Sequence, residues 1–195
     1  MRRLERQIVL NLFNRKPHPV VDEAIYAAIV AASRRPELYL AFDVPDSIEG
    51  RYEMLMLHAF LYLHRLKGED EEARAIGQAV FDRLFAELDH SLREMGVGDL
   101  SVPKRIKKMA TSFYGRISAY DVPLAANDFP ALEEALARNV YPERSDALLL
   151  AKSLAPYVTS AAALLGTMTR EDLLRSGPRF PDPALASDSS GEADG

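Results

Sequence analysis

The chain has 195 residues, of which 48% are hydrophobic, so it can bury one sizeable core but is short for two. It contains no Cys, which excludes a disulfide framework, a thiolate metal site and a cysteine nucleophile. The formal net charge of −5 argues against a general nucleic-acid binder.

The N-terminal segment, residues 1–16, is predicted to form a short amphipathic basic helix. Leu4, Ile8 and Leu12 fall on one helical stripe. Basic residues flank the stripe, namely Arg2, Arg3, Arg6, Arg15 and Lys16. Two interpretations remain open: an anchor on an anionic lipid surface, or a helix that packs on the domain with its basic face in water. No small-residue cleavage site follows, so a secretory signal is not expected.

Helical periodicity predicts the elements of one domain over residues 17–175. A helix is expected over 20–34, followed by an aromatic run over 37–45. We interpret this run as an ordered connector because no second strand is available to pair with it. A capping-box-like sequence at Asp46 to Glu49 then starts a long, largely buried helix over 47–67. Further helices are expected to about 95, from 101 to about 119, over 129–139 and from 145 to about 164, with a last turn or two after 169.

These elements predict an all-α fold, a single compact domain of about six or seven helices. The longest apolar stretches are Met54–Leu63, about half the ~20 residues that span a bilayer, and 147–166, which Lys152 and Pro156 interrupt. No membrane-spanning segment is therefore expected. Residues 176–195 are rich in Pro, Ser, Gly and Asp and are predicted to form a disordered acidic tail.

The histidines offer a weak case for a metal. Glu87 and His90 have the Glu-x-x-His spacing that places both side chains on one helix face, but helical di-iron sites need two such motifs. Pairing of Asp89 with Arg93, and of His90 with Glu94, is the alternative expected at i,i+4. His58 lies in an apolar stretch and is expected to be a hydrogen-bonded core histidine. With no phosphate-binding loop, nucleophile elbow or dinucleotide fingerprint, we predict no enzyme, metal or cofactor.

The stretch between Leu100 and Tyr120 is strongly basic. It contains five basic residues and no acidic one. On a helix, Lys104, Lys107 and Lys108 share one face, with Arg105 beside them, while the apolar residues Ile106, Met109 and Phe113 lie roughly opposite. Three interpretations of this cationic strip remain open: a solvated face, a nucleic-acid contact, or a contact with an acidic protein or with lipid head groups.

The same region resembles a known family. Leu92 to Asp99 (LREMGVGD), then Val102-Pro103-Lys104, then Phe113-Tyr114-Gly115-Arg116 with Tyr120, resemble the core signature of the ubiquinol–cytochrome c chaperone family. The upstream stretch Met54 to His58 is also similar to the segment that precedes that signature. The resemblance extends over roughly residues 36–175.

The resemblance implies a helical, non-enzymatic assembly factor for respiratory complex III. Mitochondrial members act with a small partner protein, associate with the ribosome near its exit and hold newly made cytochrome b. This chain shows no evident transit peptide and looks bacterial, so the eukaryotic partner need not apply. Cytochrome b or another complex III subunit is the expected partner, with the ribosome and an anionic membrane as further contacts and no small-molecule substrate. The expected location is the cytoplasm, including the inner face of the cytoplasmic membrane.

The predicted partner-binding surface combines the cations of the strip with nearby tyrosines. Its members are Arg93, Asp99, Lys104, Lys107, Lys108, Tyr114, Arg116 and Tyr120. An alternative role for Arg93 and Asp99 is to lock the glycine turn at Gly96–Gly98 by hydrogen bonds. The alternative functions are a membrane-surface adaptor that uses the N-terminal helix, a protein-binding helical module unrelated to complex III, and an unrecognised enzyme or metalloprotein.

Overall fold

The computed structural model describes residues 22–184, so the predicted N-terminal helix over 1–16 lies outside the described residues. The described part is all-α, as predicted. Six helices have twelve or more residues and two have six. In chain order they are α1 Asp22–Ser33, α2 Pro36–Ala41, α3 Ile48–Arg65, α4 Glu71–Glu94, α5 Val102–Ala126, α6 Phe129–Val140, α7 Ala147–Thr167 and α8 Arg170–Arg175.

Side-chain caps fix the starts of three long helices. The Ser47 hydroxyl accepts from the Gly50 N–H at 3.1 Å at the start of α3. Asp70 and Asp128 do the same for α4 and α6, at 3.0 and 3.1 Å. Each cap satisfies a backbone donor that the first helical turn leaves unpaired. At α5 the N-cap is Ser101, but its side chain makes no capping hydrogen bond.

Two elements differ from the sequence-based prediction. The segment predicted as a connector contains α2, because Pro36 occupies the first turn and Leu38 and Phe42 are buried on one side. Helix α5 continues to Ala126, past the predicted end near 119, with Pro123 inside it. Pro123 is buried, and α5 continues past it. The helix ends at Asn127, which has a left-handed φ of 53°.

Helix α3 is the centre of the domain and packs against α1, α5, α6 and α7. Its residues from Met56 to Tyr62 are all buried, which explains why its apolar residues are too dense for a single stripe. His58 is fully buried among them, as predicted. Its Nδ1 lies 2.7 Å from the Met54 carbonyl oxygen, and its Nε2 lies 2.7 Å from the Tyr157 hydroxyl.

The packed part of the chain extends past residue 176, where the disordered tail was predicted to begin. Gly177, with a φ of +84°, approaches the backbone of α1, where a Cβ on this glycine would lie 3.2 Å from the Ala24 carbonyl oxygen. Phe180 is only 7% exposed, and its ring centroid lies 4.8 Å from that of His58. Arg35 also donates to the Pro181 carbonyl at 2.6 Å. Residues 177–183 therefore pack against the core, and the rest of the predicted tail, 185–195, lies outside the described residues.

Helix α7 is long and apolar enough to cross a membrane, with a mean hydropathy of 1.5 over its best window. Core helices of soluble proteins satisfy the same criteria. Leu154, Tyr157 and Val158 of this helix are fully buried in the domain, whereas Leu149 is 69% exposed, so packing accounts for only part of its apolar character.

Candidate partner-binding surface

The cationic strip lies on the outer side of the first half of α5. Lys104, Arg105, Lys107 and Lys108 are all exposed, whereas Phe113 is fully buried on the opposite side. None of the four cations forms an ion pair with another residue of the described range 22–184. Their positive charge therefore has no internal counterion in this part of the chain, and it remains available to an external anionic group.

Arg93 and Asp99 close the turn that leads into the strip. The Gly96 backbone has a φ of +79°, which favours glycine, and its N–H donates to the Arg93 carbonyl at 2.9 Å. The Arg93 guanidinium donates to Asp89 at 2.7 Å and, across the turn, to Asp99 at 2.5 Å. This arrangement supports the alternative in which the pair locks the glycine turn.

Arg116 points inward and not into the strip. Its guanidinium forms two hydrogen bonds with Glu53 of α3, one of them 2.6 Å between Nε and Oε2. The two side chains are only 13% and 11% exposed. Burial raises the pKa of Glu53, and the hydrogen bonds from Arg116 partly offset that rise. Arg116 therefore ties α5 to the central helix.

Of the two predicted anchoring tyrosines, one is buried and the other is half-buried. Tyr120 is 1% exposed, and its ring packs against Phe60 with the centroids 5.4 Å apart. Tyr114 is half-buried against Phe81, and its buried hydroxyl has no hydrogen-bond partner among the described residues. Tyr120 therefore offers no contact area to a partner in this fold, because tertiary packing places it inside the core.

Sequence reasoning missed an apolar group at the start of the strip. Leu100 is 91% exposed and Met95 is 54% exposed, at the two ends of the turn between α4 and α5. Isolated exposed apolar residues are ordinary, but these two lie in the turn that leads directly into the cationic strip. Periodicity could not identify them because the turn has no helical stripe; the only sequence signal is an apolar Leu100 between Asp99 and Ser101.

Glu87 and His90 each pair with another side chain of α4. Glu87 lies 3.1 Å from Arg83, and His90 lies 3.2 Å from Glu94. The two predicted i,i+4 pairs, Asp89 with Arg93 and His90 with Glu94, are both present. Within residues 22–184, no three His, Asp or Glu side chains come together in a way that could hold a metal ion.

Comparison with known proteins agrees with the predicted resemblance. The family described as Ubiquinol-cytochrome C chaperone matches residues 40–180. The chain is 39% identical to the protein in a crystal structure of the Cbp3 homolog from Brucella abortus, with a TM-score of 0.76 over 94% of this chain and 98% of that one.

More distant relatives carry a shared name. The ubiquinol-cytochrome c reductase complex assembly factor 1 of Mus musculus is 25% identical over 78% of this chain and 52% of its own length. The assembly factor of the same name from Xenopus laevis is 23% identical over 84% of this chain and 82% of its own length. The chain thus spans about half the length of the mouse relative and most of the frog one. The match over residues 40–180 includes both the central helix and the cationic strip, and the chain belongs to the ubiquinol–cytochrome c chaperone family.

Proposed function

We propose that this protein is a non-enzymatic chaperone for the assembly of ubiquinol–cytochrome c oxidoreductase, respiratory complex III, and that it holds newly made cytochrome b. The observation that carries the proposal is the family match over residues 40–180, which covers most of the described domain. The names of the relatives, as assembly factors of the same complex, support it.

The client-binding surface that we propose consists of the cationic strip and the apolar residues at its start. Lys104, Lys107 and Lys108 would attract acidic segments of the client, and this attraction raises the association rate more than the final affinity. Leu100 and Met95 are exposed in the turn before the strip and would bury apolar surface of a membrane subunit that is not yet packed. A surface that combines cations with exposed apolar residues suits a client that has both acidic segments and apolar surface.

The other predicted residues take supporting roles in this proposal. Arg93 and Asp99 hold the turn that presents Met95 and Leu100. Arg116 fixes α5 against α3 through Glu53, so the strip keeps its orientation. Tyr114 and Tyr120 pack against Phe81 and Phe60 and are positioning residues, not contacts.

The proposed place of action is the cytoplasmic side of the membrane, where the ribosome and the anionic membrane surface are both accessible. The same unpaired cations would be attracted to RNA phosphates and to lipid head groups. Contacts with a protein, with the ribosome and with the membrane would therefore all be weakened by the same charge variants. Cross-linking distinguishes them, because it identifies what the protein contacts.

The test replaces three lysines in the source organism. The gene is deleted and then complemented with the wild-type chain, with Lys104→Glu/Lys107→Glu/Lys108→Glu, or with Arg34→Glu/Lys152→Glu/Arg179→Glu. The second triple variant changes the net charge equally at three exposed positions spread over other elements. The reduced-minus-oxidised spectrum of cytochrome b in membranes and the level of complex III are recorded, and cross-linking identifies what the protein contacts.

We expect deletion to remove cytochrome b and complex III selectively, and the wild type and the scattered triple variant to restore them. The strip variant should fail to restore them and should lose its cross-link to cytochrome b. Normal cytochrome b after deletion would refute the assembly function. Restoration by the strip variant, with the cross-link intact, would leave the assembly function standing and refute the proposed surface.

A further inference from the structure

A cavity of about 370 Å³ lies between α3, α4 and α5. The space is open to solvent at the exposed side chains of Lys67 and Arg74, so it is a surface cleft and not an interior void. Its volume falls in the range of small-molecule pockets. The cavity is separate from the cationic strip, whose lysines do not line it.

Three residues on one side of α4 line the space. Ala73, Gly77 and Phe81 follow one another at i,i+4 along the side of α4 that lines the cavity. The first two contribute little side-chain volume to the lining. At Gly77, α3 and α4 are in close contact, since a Cβ there would lie 3.2 Å from Leu63 and 3.4 Å from Leu66. The facing walls are apolar and come from Phe60, Leu63 and Leu66 of the α3 segment and Ile117 of α5.

Polar groups lie at one part of this lining. Asp121 accepts from His64 Nδ1 at 2.8 Å and from Lys67 Nζ at 2.5 Å. Burial alone would raise the pKa of Asp121, but the hydrogen bonds from Lys67 and His64 outweigh it and lower that pKa. Arg74 also lines the cavity, is exposed, and has no ion-pair partner within residues 22–184.

These polar residues, which we call the rim, therefore have unused hydrogen-bond donors and a net positive charge. Asp121 is already compensated by Lys67, whose ammonium group has three N–H donors and uses one of them here. The Arg74 guanidinium keeps all five of its donors. A carboxylate or a phosphate is the group that such donors recognise most strongly.

We propose that this cavity binds the acyl chain of an anionic single-chain amphiphile, a long-chain fatty acid or a lysophospholipid, with its head group against Arg74 and Lys67. An apolar wall with a few cationic donors at its edge matches a ligand that has one long apolar chain and one anionic end. The N-terminal segment of this chain is a poorer occupant, because Arg2, Arg3 and Arg6 would bring more positive charge to a cationic rim.

The test titrates the purified full-length chain with a fluorescent fatty acid that has a free carboxylate and a dansyl group at the far end of its chain. Competitors are saturated fatty acids of eight to fourteen carbons, lysophosphatidylglycerol, and dodecanol, which has the chain without the charge. The relative strength of competition by the fatty acids and by the lysophospholipid shows which of the two classes of anionic amphiphile the site prefers.

Variants report on each end of the site. Leu63→Trp and Ile117→Trp fill the cavity from two facing helices, and both positions are only half-buried, so the larger side chains have room to adjust. Arg74→Glu reverses the charge at the head group. Lys152→Glu is the matched control, since it reverses an exposed cation on α7 that does not line the cavity.

We expect saturable binding by the wild type and by Lys152→Glu, tightening several-fold with each added pair of carbons until the cavity is filled. Arg74→Glu should bind roughly tenfold more weakly, as for a lost charged hydrogen bond. The two tryptophan variants should bind only the shortest chains. If one of them fails to fold, the other variant and the chain-length series still test whether the acyl chain occupies the cavity.

Three results would overturn the proposal. One is no saturable binding of the probe by the wild type. Another is competition by dodecanol as strong as that by the twelve-carbon fatty acid, which would remove the head-group contact. The third is unchanged binding in folded tryptophan variants, which would place the probe elsewhere on the surface.

Discussion

Acidification is expected to destabilise this protein through His58. The Met54 carbonyl oxygen can only accept, so His58 Nδ1 carries the proton, and Nε2 of the neutral ring accepts from the Tyr157 hydroxyl. A second proton on Nε2 would reverse the bond with Tyr157. It would also place a charge in a site from which Phe180 excludes water. Complete burial, with a smaller contribution from the nearby Arg35 guanidinium, lowers the pKa of His58 to about 4.

The size of the effect follows from that pKa. The ordinary histidine pKa of 6.5 describes the unfolded chain, so the pKa of His58 is lower by about 2.5 in the folded state than in the unfolded state. Because the folded pKa is the lower one, the unfolded state binds more protons between pH 6.5 and 4. Stability from neutral His58 is therefore fully present above about pH 6.5 and falls as the pH drops, by about 1.4 kcal/mol per pH unit and about 3 kcal/mol in all.

The assay is urea unfolding at a series of pH values between 7 and 4, for the wild type and His58→Gln. Other groups titrate in this range, so the informative quantity is the difference between the two slopes of unfolding free energy against pH. His90→Gln is the control, since His90 is exposed beside Glu94. We expect His58→Gln to flatten the slope by about 1 kcal/mol per pH unit. Equal slopes in the wild type and His58→Gln would refute the reasoning.

The remaining predictions concern packing and backbone conformation, and urea unfolding measures all of them. Arg116→Ala should cost about 3 kcal/mol or more, because it leaves Glu53 buried without its partner. Gly96→Ala should cost about 1 kcal/mol because of its φ of +79°, whereas Gly98→Ala in the same turn, with no positive φ, should change little. Phe180→Ala should cost about 3 kcal/mol, because its ring is only 7% exposed.

Each of these predictions has a contradicting outcome. For the buried ion pair, Glu53→Leu/Arg116→Met should recover much of the loss, and a double variant as unstable as Arg116→Ala would argue against an unpaired charge as the cause. Equal costs at Gly96 and Gly98 would argue against backbone strain. A neutral Phe180→Ala would mean that the segment after Ser176 contributes nothing to the core.

Local features of the sequence were sufficient to predict most of the helices. The caps at Ser47, Asp70 and Asp128 act within one turn of chain, and apolar periodicity is a property of neighbouring residues. For the same reason the exposed face of Lys104, Lys107 and Lys108 followed from spacing on a single helix. The family signature was also a matter of residue order alone, and its prediction was confirmed over residues 40–180.

Only the tertiary structure decided which predicted site residues face the solvent. Arg116 meets Glu53 from a position 63 residues away, and that pairing turns it from the surface into the domain. Tyr120 is removed from the surface by its contact with Phe60 on another helix. No pattern in the basic stretch itself contains this information, because burial depends on which helices meet.

The ordered segment over 177–183 and the cavity arise in the same way. A Pro- and Gly-rich composition predicts disorder, yet Phe180 finds a place against His58, a residue far from it in the chain. The cavity is lined by residues as far apart in the chain as Leu63 and Ile117. The sequence by itself determined the helices and their polar faces, since these depend on neighbours along the chain. Packing between helices decided the burial, the turn geometry and the cavity, since these depend on neighbours in space.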